Sequence, residues 1–198
     1  MTKLIMDSST SFLYILLLQD ETILWKYLEE GNNDHSEKLN VLIKKMIDDT
    51  KIEISNIDQI IVGKGPGSYT GVRVGMTVAK TFAWAKNIPL YTFGSLDMIA
   101  ASKMNQDGIY VVMLDARRGN SFVKIIESKN RFVTTLLEDT FMSNQAIEEL
   151  VASKYPNAII VNQVEHSSFD YEALVSFHMI HKVEDIYSFV PNYVRSGV

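Results

Sequence analysis

Residues Ile60–Lys80 read IIVGKGPGSYTGVRVGMTVAK. A run of β-branched residues meets a glycine-rich loop, and the loop opens into a helix. Phosphate sites are often built this way, so the first question is what the glycines are for. The Walker A spacing G-x-x-x-x-G-K-[ST] is absent, because Lys64 precedes most of the glycines. The dinucleotide spacing G-x-G-x-x-G also fails, since Ser68 stands where a third glycine would follow Gly63 and Gly65. What remains is a strand, a tight turn and a helix N-terminus, which attract anions in a general way. A second pattern overlies the first. Gly67, Gly71, Gly75, Ala79 and Ala83 recur every four residues, and on a helix each step of four drifts by only about 40°. Small residues in such a stripe let another backbone come close. A helical glycine costs about 1 kcal/mol against alanine, so two in one helix imply a close approach that repays them.

The flanking chain supplies the frame. "KLIM" before "DSST" reads as a strand ending in a hydroxyl-rich turn, and "FLYILLLQDETILWKYLEE" as two more strands joined at Gln19-Asp20-Glu21. Asp34 and Glu37 have capping-box spacing, and Leu39, Leu42, Ile43, Met46 and Ile47 follow at amphipathic-helix spacing. Next come a strand at "IDQIIVG", a helix from Ser68 to Lys86, a strand at "IPLYTF" and a short helix at "SLDMIAASKM". "GIYVVMLD", "NSFVKIIES" and "RFVTTLLE" read as three strands, followed by a helix over 143–153 and a strand over 157–161. The pattern after Asn162 is weak. Three meandering strands followed by helix–strand–helix–strand predict α/β architecture: mixed sheets flanked by helices, in two lobes. The expected division is an N-terminal lobe over 1–103 and a smaller lobe over 104–198, with the C-terminal tail packing back on the first.

In the helix after the glycine loop, Val74, Val78, Phe82 and Ala85 make one apolar face, and Val72, Gly75, Met76 and Ala79 another. Thr70, Arg73, Thr77 and Lys80 form a narrow polar strip. One apolar face lies on the sheet. The other needs a helix, from this chain or from a partner, and periodicity leaves the two open.

Bulk composition excludes several classes. The chain has 198 residues, a net charge of −5 and no cysteine. Disulfides, thiolate catalysis and cysteine-based zinc sites are out, and scattered basic residues argue against strong nucleic-acid binding by this chain alone. The longest apolar run, Phe12–Leu18, is far short of the roughly 20 residues that span a bilayer; the expectation is a cytoplasmic protein without membrane contact. Neither G-x-S-x-G nor H-E-x-x-H occurs, and His35, His166, His178 and His181 lack a metal-site spacing with a third ligand, so no catalytic or metal residue is assigned. Asp7, Ser8, Gly65, Gly67 and Asp115 are the candidate remnants of a nucleotide loop. Asp7 by itself reads first as the acceptor of an Asx-turn that caps its loop.

"LIMDSST" (4–10), "HSEKLNVLI" (35–43), "GKGPGSYTGVRVGMTVAK" (63–80), "LDARRGNSF" (114–122) and "PNYVR" (191–195) resemble, in this order, the TsaB family, also called YeaZ. The resemblance implies an actin-like, Hsp70-like ATPase (ribonuclease H-like) fold. It implies a non-catalytic subunit of the machinery that moves a threonylcarbamoyl group from its adenylate to adenosine 37 of tRNAs reading ANN codons. The implied partners are the catalytic paralogue TsaD and the ATPase TsaE, with a homodimer when TsaD is absent and tRNA reached only through the complex. ATP is then used by the complex, and no cofactor is expected on this chain. The family's TsaD contact maps to two helices here, and the residues expected in it are His35, Leu39, Leu42, Ile43, Met46, Tyr69, Val72, Arg73, Gly75, Met76, Ala79 and Ala83. On this reading the glycine stripe serves a subunit interface. The sequence departs from the family at Asn40-Val41, where proline is usual, at Ser8, where threonine is common, and in a second lobe short from Phe141 onward. A second function class, an ATP-dependent small-molecule kinase of actin-like fold, would need Asp7, Asp115 and the Gly65–Gly67 loop around a magnesium nucleotide.

Overall fold

The structure is a computed structural model that describes residues 1–31, 34–162 and 169–194; His166 and Arg195 lie outside the described residues. Two compact units are present. The first comprises Met1–Ser95 and Ile180–Asn192; the second comprises Leu96–Met179 and, among the described residues after it, Tyr193 and Val194. The division therefore falls at Ser95 rather than at residue 103, and the chain crosses back to the first unit late.

The first unit is built on a six-stranded sheet. Its strands are β1 (Thr2–Asp7), β2 (Phe12–Gln19), β3 (Thr22–Glu30), β4 (Gln59–Gly63), β5 (Leu90–Phe93) and β10 (His181–Lys182), in the order β10-β5-β4-β1-β2-β3. β1, β2 and β3 are antiparallel, while β1 with β4 and β4 with β5 are parallel. The apolar run in β2 is buried on both alternating sets, Leu13, Ile15 and Leu17 as well as Tyr14 and Leu16, which is why it reads as continuous rather than alternating. Asp20 takes the left-handed conformation that the tight β2–β3 turn requires, with φ of 48°.

Two helices cover this sheet, α1 (His35–Thr50) and α2 (Tyr69–Lys86). The α2 ends follow local chemistry. Ser68 caps the start by accepting the Gly71 N–H at 3.2 Å, and Asn87 closes the end in the left-handed region. The capping box expected at Asp34 and Glu37 does not form. Asp34 makes no side-chain cap bond and instead pairs with Lys38 at 2.7 Å, one turn along. Leu39, Ile43 and Met46 of α1 and Ala79 and Ala83 of α2 enter one core with Leu4, Ile15, Ile60 and Val62.

Residues 181–192 form a strap on this unit, which the weak pattern after Asn162 hid. β10 pairs antiparallel with β5, and Val183, Ile186 and Phe189 pack on the core. Lys80 of α2 donates to the Phe189 carbonyl at 2.7 Å, the Trp84 indole N–H to the Tyr187 hydroxyl at 3.1 Å, and the Asn192 N–H to the Lys64 carbonyl at 2.8 Å.

The second unit contains α3 (Ser95–Ala101, whose first residue closes the first unit), β6 (Gly108–Asp115), β7 (Asn120–Lys129), β8 (Phe132–Ser143), α4 (Asn144–Lys154), β9 (Ile159–Val161) and α5 (Tyr171–Ser176). Its sheet order is β8-β7-β6-β9, with β6 and β9 parallel. Both sheets thus place a three-stranded meander beside a parallel fourth strand. Both sheets are mixed and helix-flanked, in keeping with the actin-like, ribonuclease H-like ATPase fold that the family resemblance implies. On one face, Ile147 of α4 packs against Val111, Val123 and Ile125. Elsewhere in the unit, Lys124 of β7 is buried with its ammonium 2.5 Å from Asp97 of α3 and 3.8 Å from Asp139 of β8.

Candidate functional site

Strands β1, β4 and β5 run parallel, so their carboxyl ends deliver three loops to one edge of the first sheet, where ligands bind in many open α/β sheets. Here the loops fill one another. The Ser68 N–H at the start of α2 donates to the Ser9 carbonyl at 2.6 Å, and the Ser8 hydroxyl donates to the Gly71 carbonyl at 2.8 Å. The Ser9 and Ser95 hydroxyls lie 2.5 Å apart, and the Ser95 N–H donates to the Gly65 carbonyl at 2.9 Å. His35 places Nδ1 3.4 Å from the Ser8 carbonyl. Asp7, Ser8, Ser9, Thr10 and Ser95 are all buried.

The glycines are spaced to receive this loop. A Cβ on Gly67 would stand 2.1 Å from the Ser9 carbonyl oxygen, one on Gly71 2.0 Å from that of Ser8, and one on Gly75 2.6 Å from the Ser8 hydroxyl. The approaching backbone is therefore the β1–β2 loop of the same chain, not a partner. Gly65 adds a left-handed φ of 90°, which a side chain would resist. Asp7, Ser8, Gly65 and Gly67 all lie in the loops at this edge of the first sheet. Asp115 belongs to the other unit. It ends β6 in the second unit, exposed, and accepts its neighbour Arg117's backbone N–H at 3.0 Å.

Asp7 accepts the Ser9 N–H at 3.0 Å and the Ser9 hydroxyl at 2.9 Å. Burial nevertheless pushes its carboxyl above the ordinary range, against the lowering effect of the Ser9 bonds and of His35. A raised folded-state pKa means that folding favours the proton. The ionised carboxylate costs stability above the folded pKa and costs none below the unfolded one. Asp7→Asn keeps an acceptor for Ser9 and removes the charge. Its stability relative to the parent protein should rise as pH goes from about 4 to neutral; urea unfolding at both ends of that range measures it, and a pH-independent difference would discount the ionisation.

The residues expected at a partner contact divide sharply. His35, Leu39, Ile43, Met46, Val72, Gly75, Met76, Ala79 and Ala83 are buried in the chain's own fold, and Leu42 is half-buried. The reason is elementary: a sheet covered by two helices claims their strongest apolar stripes. Tyr69 and Arg73 are exposed, with the guanidinium 3.9 Å from the ring centroid, a cation–π pair. Two exposed apolar residues of these helices lie outside the expected set. Val41 is 66% and Trp84 65% exposed. Val41 falls outside the α1 stripe, and Trp84 continues the polar strip of α2 four residues after Lys80, so an apolar residue on a polar face was the available signal. Among the described residues no cluster of metal-ligating side chains occurs, and no helix is long and apolar enough to cross a membrane.

Comparison with known proteins gives a consistent family. The family model described as "TsaD: tRNA N6-adenosine threonylcarbamoyltransferase" matches residues 29–194. The tRNA threonylcarbamoyladenosine biosynthesis protein TsaB of Bacillus subtilis is 30% identical, over 98% of this chain and 94% of its own length. The protein of the same name from Haemophilus influenzae is 27% identical, over 77% of this chain and 64% of its own. The structure of YeaZ from Pseudomonas aeruginosa superposes with a TM-score of 0.75 over 97% of this chain and 99% of its own, at 18% identity. With motifs, fold and full-length similarity in agreement, the chain belongs to the TsaB (YeaZ) family of tRNA threonylcarbamoyladenosine biosynthesis proteins.

Proposed function

We propose that this chain is a non-catalytic subunit that pairs with a TsaD-type catalytic paralogue and helps to recruit a TsaE-type ATPase in forming N6-threonylcarbamoyladenosine at position 37 of tRNA. In isolation it pairs with itself through the same surface, and it works in the cytoplasm. The observation that carries this reading is the outer surface of α1 and α2. These adjacent helices spend their apolar stripes on their own sheet, yet still expose Val41, Tyr69 and Arg73. Aromatic residues and arginine are enriched where protein interfaces concentrate their energy. The self-filled carboxyl-end loops support assigning ATP use to the partners rather than to this chain.

The test is molar mass by light scattering, alone and with the larger paralogue. The parent protein should form a 1:1 complex. Val41→Glu, which places a charge on an exposed position and leaves the core intact, should weaken that complex at least tenfold, about 1.4 kcal/mol, with unchanged unfolding temperature. Gly75 is no probe of the contact, because its space is taken by Ser8. Undiminished pairing of the Val41 variant would move the interface elsewhere, and ATP turnover by the purified chain would overturn the non-catalytic reading.

A further inference from the structure

The hairpin joining β6 to β7 adopts a backbone its sequence does not favour. Arg117, Arg118 and Gly119 have φ of 68°, 53° and 74°. The Asn120 N–H donates to the Arg117 carbonyl at 3.1 Å, closing a turn whose central residues, Arg118 and Gly119, both have positive φ. Asn-Gly is the pair that suits such a turn, and left-handed φ is costly for a long side chain. Two consecutive arginines stand where glycine and asparagine would fold with less strain.

The strain is held in place from several sides. The Asp115 carboxylate accepts the Arg117 N–H at 3.0 Å, and the Asn120 side-chain amide donates to the carbonyls of Arg117 at 3.3 Å and Arg118 at 3.1 Å. The Asn144 N–H donates to the Gly119 carbonyl at 2.9 Å. Every one of these bonds engages backbone at the tip. Arg117 and Arg118 are exposed, and neither has an ion-pair partner among the described residues. Nothing lies within 4 Å of the position a Cβ on Gly119 would take. Backbone strain maintained at an exposed tip points to a use for the side chains that carry it.

Guanidinium forks match phosphate oxygens in geometry and charge. The tip is open rather than concave, so it does not enclose a small anion as a pocket does. A polymer offering successive phosphates can meet both forks at once. Against an overall charge of −5, any attraction of a polyanion has to come from local groups such as this pair. We propose that Arg117 and Arg118 contact the phosphate backbone of an RNA strand. The choice of tRNA as that RNA rests on the functional reading above; the phosphate contact itself does not.

The experiment measures binding of a tRNA transcript to the full chain, alone and mixed with the paralogue, between about 50 and 200 mM salt. Two double variants are compared, Arg117→Gly with Arg118→Asn, and Arg117→Lys with Arg118→Lys. The first suits the backbone, so it should melt at or above the parent temperature while binding RNA roughly tenfold more weakly, with the salt slope reduced by about 1.4–1.8 for two lost phosphate contacts. The lysine pair should keep most of the slope. The proposal is overturned if affinity and slope are unchanged in whichever preparation binds RNA, if neither preparation binds it, or if millimolar inorganic phosphate displaces the RNA as the arginine loss does. It is also overturned if the variants weaken pairing with the paralogue instead, since the arginines would then be a protein contact. Failure of the parent chain to pair defeats the functional reading alone, and RNA binding by the chain by itself still decides this one.

Discussion

Gly71→Ala should lower the stability of the first unit by about 2–3 kcal/mol, read as a fall in the urea midpoint with unchanged slope. The sign is informative, because alanine inside a helix normally gains about 1 kcal/mol over glycine. That gain is present here and should be overwhelmed. The new methyl would sit 2.0 Å from the Ser8 carbonyl oxygen, and a backbone atom between two anchored strands cannot swing aside. Gly75→Ala is the internal control. Its methyl meets the Ser8 hydroxyl at 2.6 Å, the end of a rotatable side chain, and rotation sacrifices one hydrogen bond to Gly71. A hydrogen bond is worth about 1 kcal/mol, close to the helical gain, so this variant should lie within about 1 kcal/mol of the parent. Equal effects at the two sites would mean that the loop is not seated as described.

Lys124→Met should cost about 3–5 kcal/mol at neutral pH, the range for breaking a buried ion pair from one side. The methionine fits the space of the aliphatic stem. The loss comes from leaving the carboxylates of Asp97 and Asp139 together without their cation. Burial alone would lower the Lys124 pKa, but Asp97 and then Asp139 outweigh it and hold it above the ordinary lysine value. A raised folded-state pKa gives stability that is complete below the unfolded value and is lost only as pH climbs through the folded one. In the parent protein this contribution is therefore constant through the neutral range and disappears in strong alkali. Lys124→Arg is the control, since it keeps a cation beside the two carboxylates and should recover part of the loss. Urea unfolding of both variants at neutral pH separates the lost charge from a packing defect, which would leave the two equally destabilised.

How much of this was legible follows from the range of each interaction. α2 was readable because its cap, its glycines and its terminal Asn87 act within a few residues. The strands were readable because apolar runs between turns are local patterns. The stripe Gly67–Gly71–Gly75 was readable as a demand for close approach, but not as to what approaches. The answer, Ser8, is 63 positions from Gly71 in sequence, and no periodicity carries information over that distance. The same limit explains the interface residues. Leu39 and Ile43 are apolar whether they face a sheet or a partner, and burial inside the chain decided between the two. Val41 and Trp84 broke their faces' patterns, and they are exposed. Two-residue β10 is too short to leave a pattern at all.

The strap has a temporal meaning. β10 and the residues up to Asn192 complete the first unit, yet a ribosome makes them only after Leu96–Met179. Until then β5 keeps an unpaired edge, and Lys80 and Trp84 lack the strap carbonyl and hydroxyl they bind. The unit that begins synthesis first thus stays incomplete, its nascent form waiting edge open, until Leu96–Met179 of the other unit has emerged.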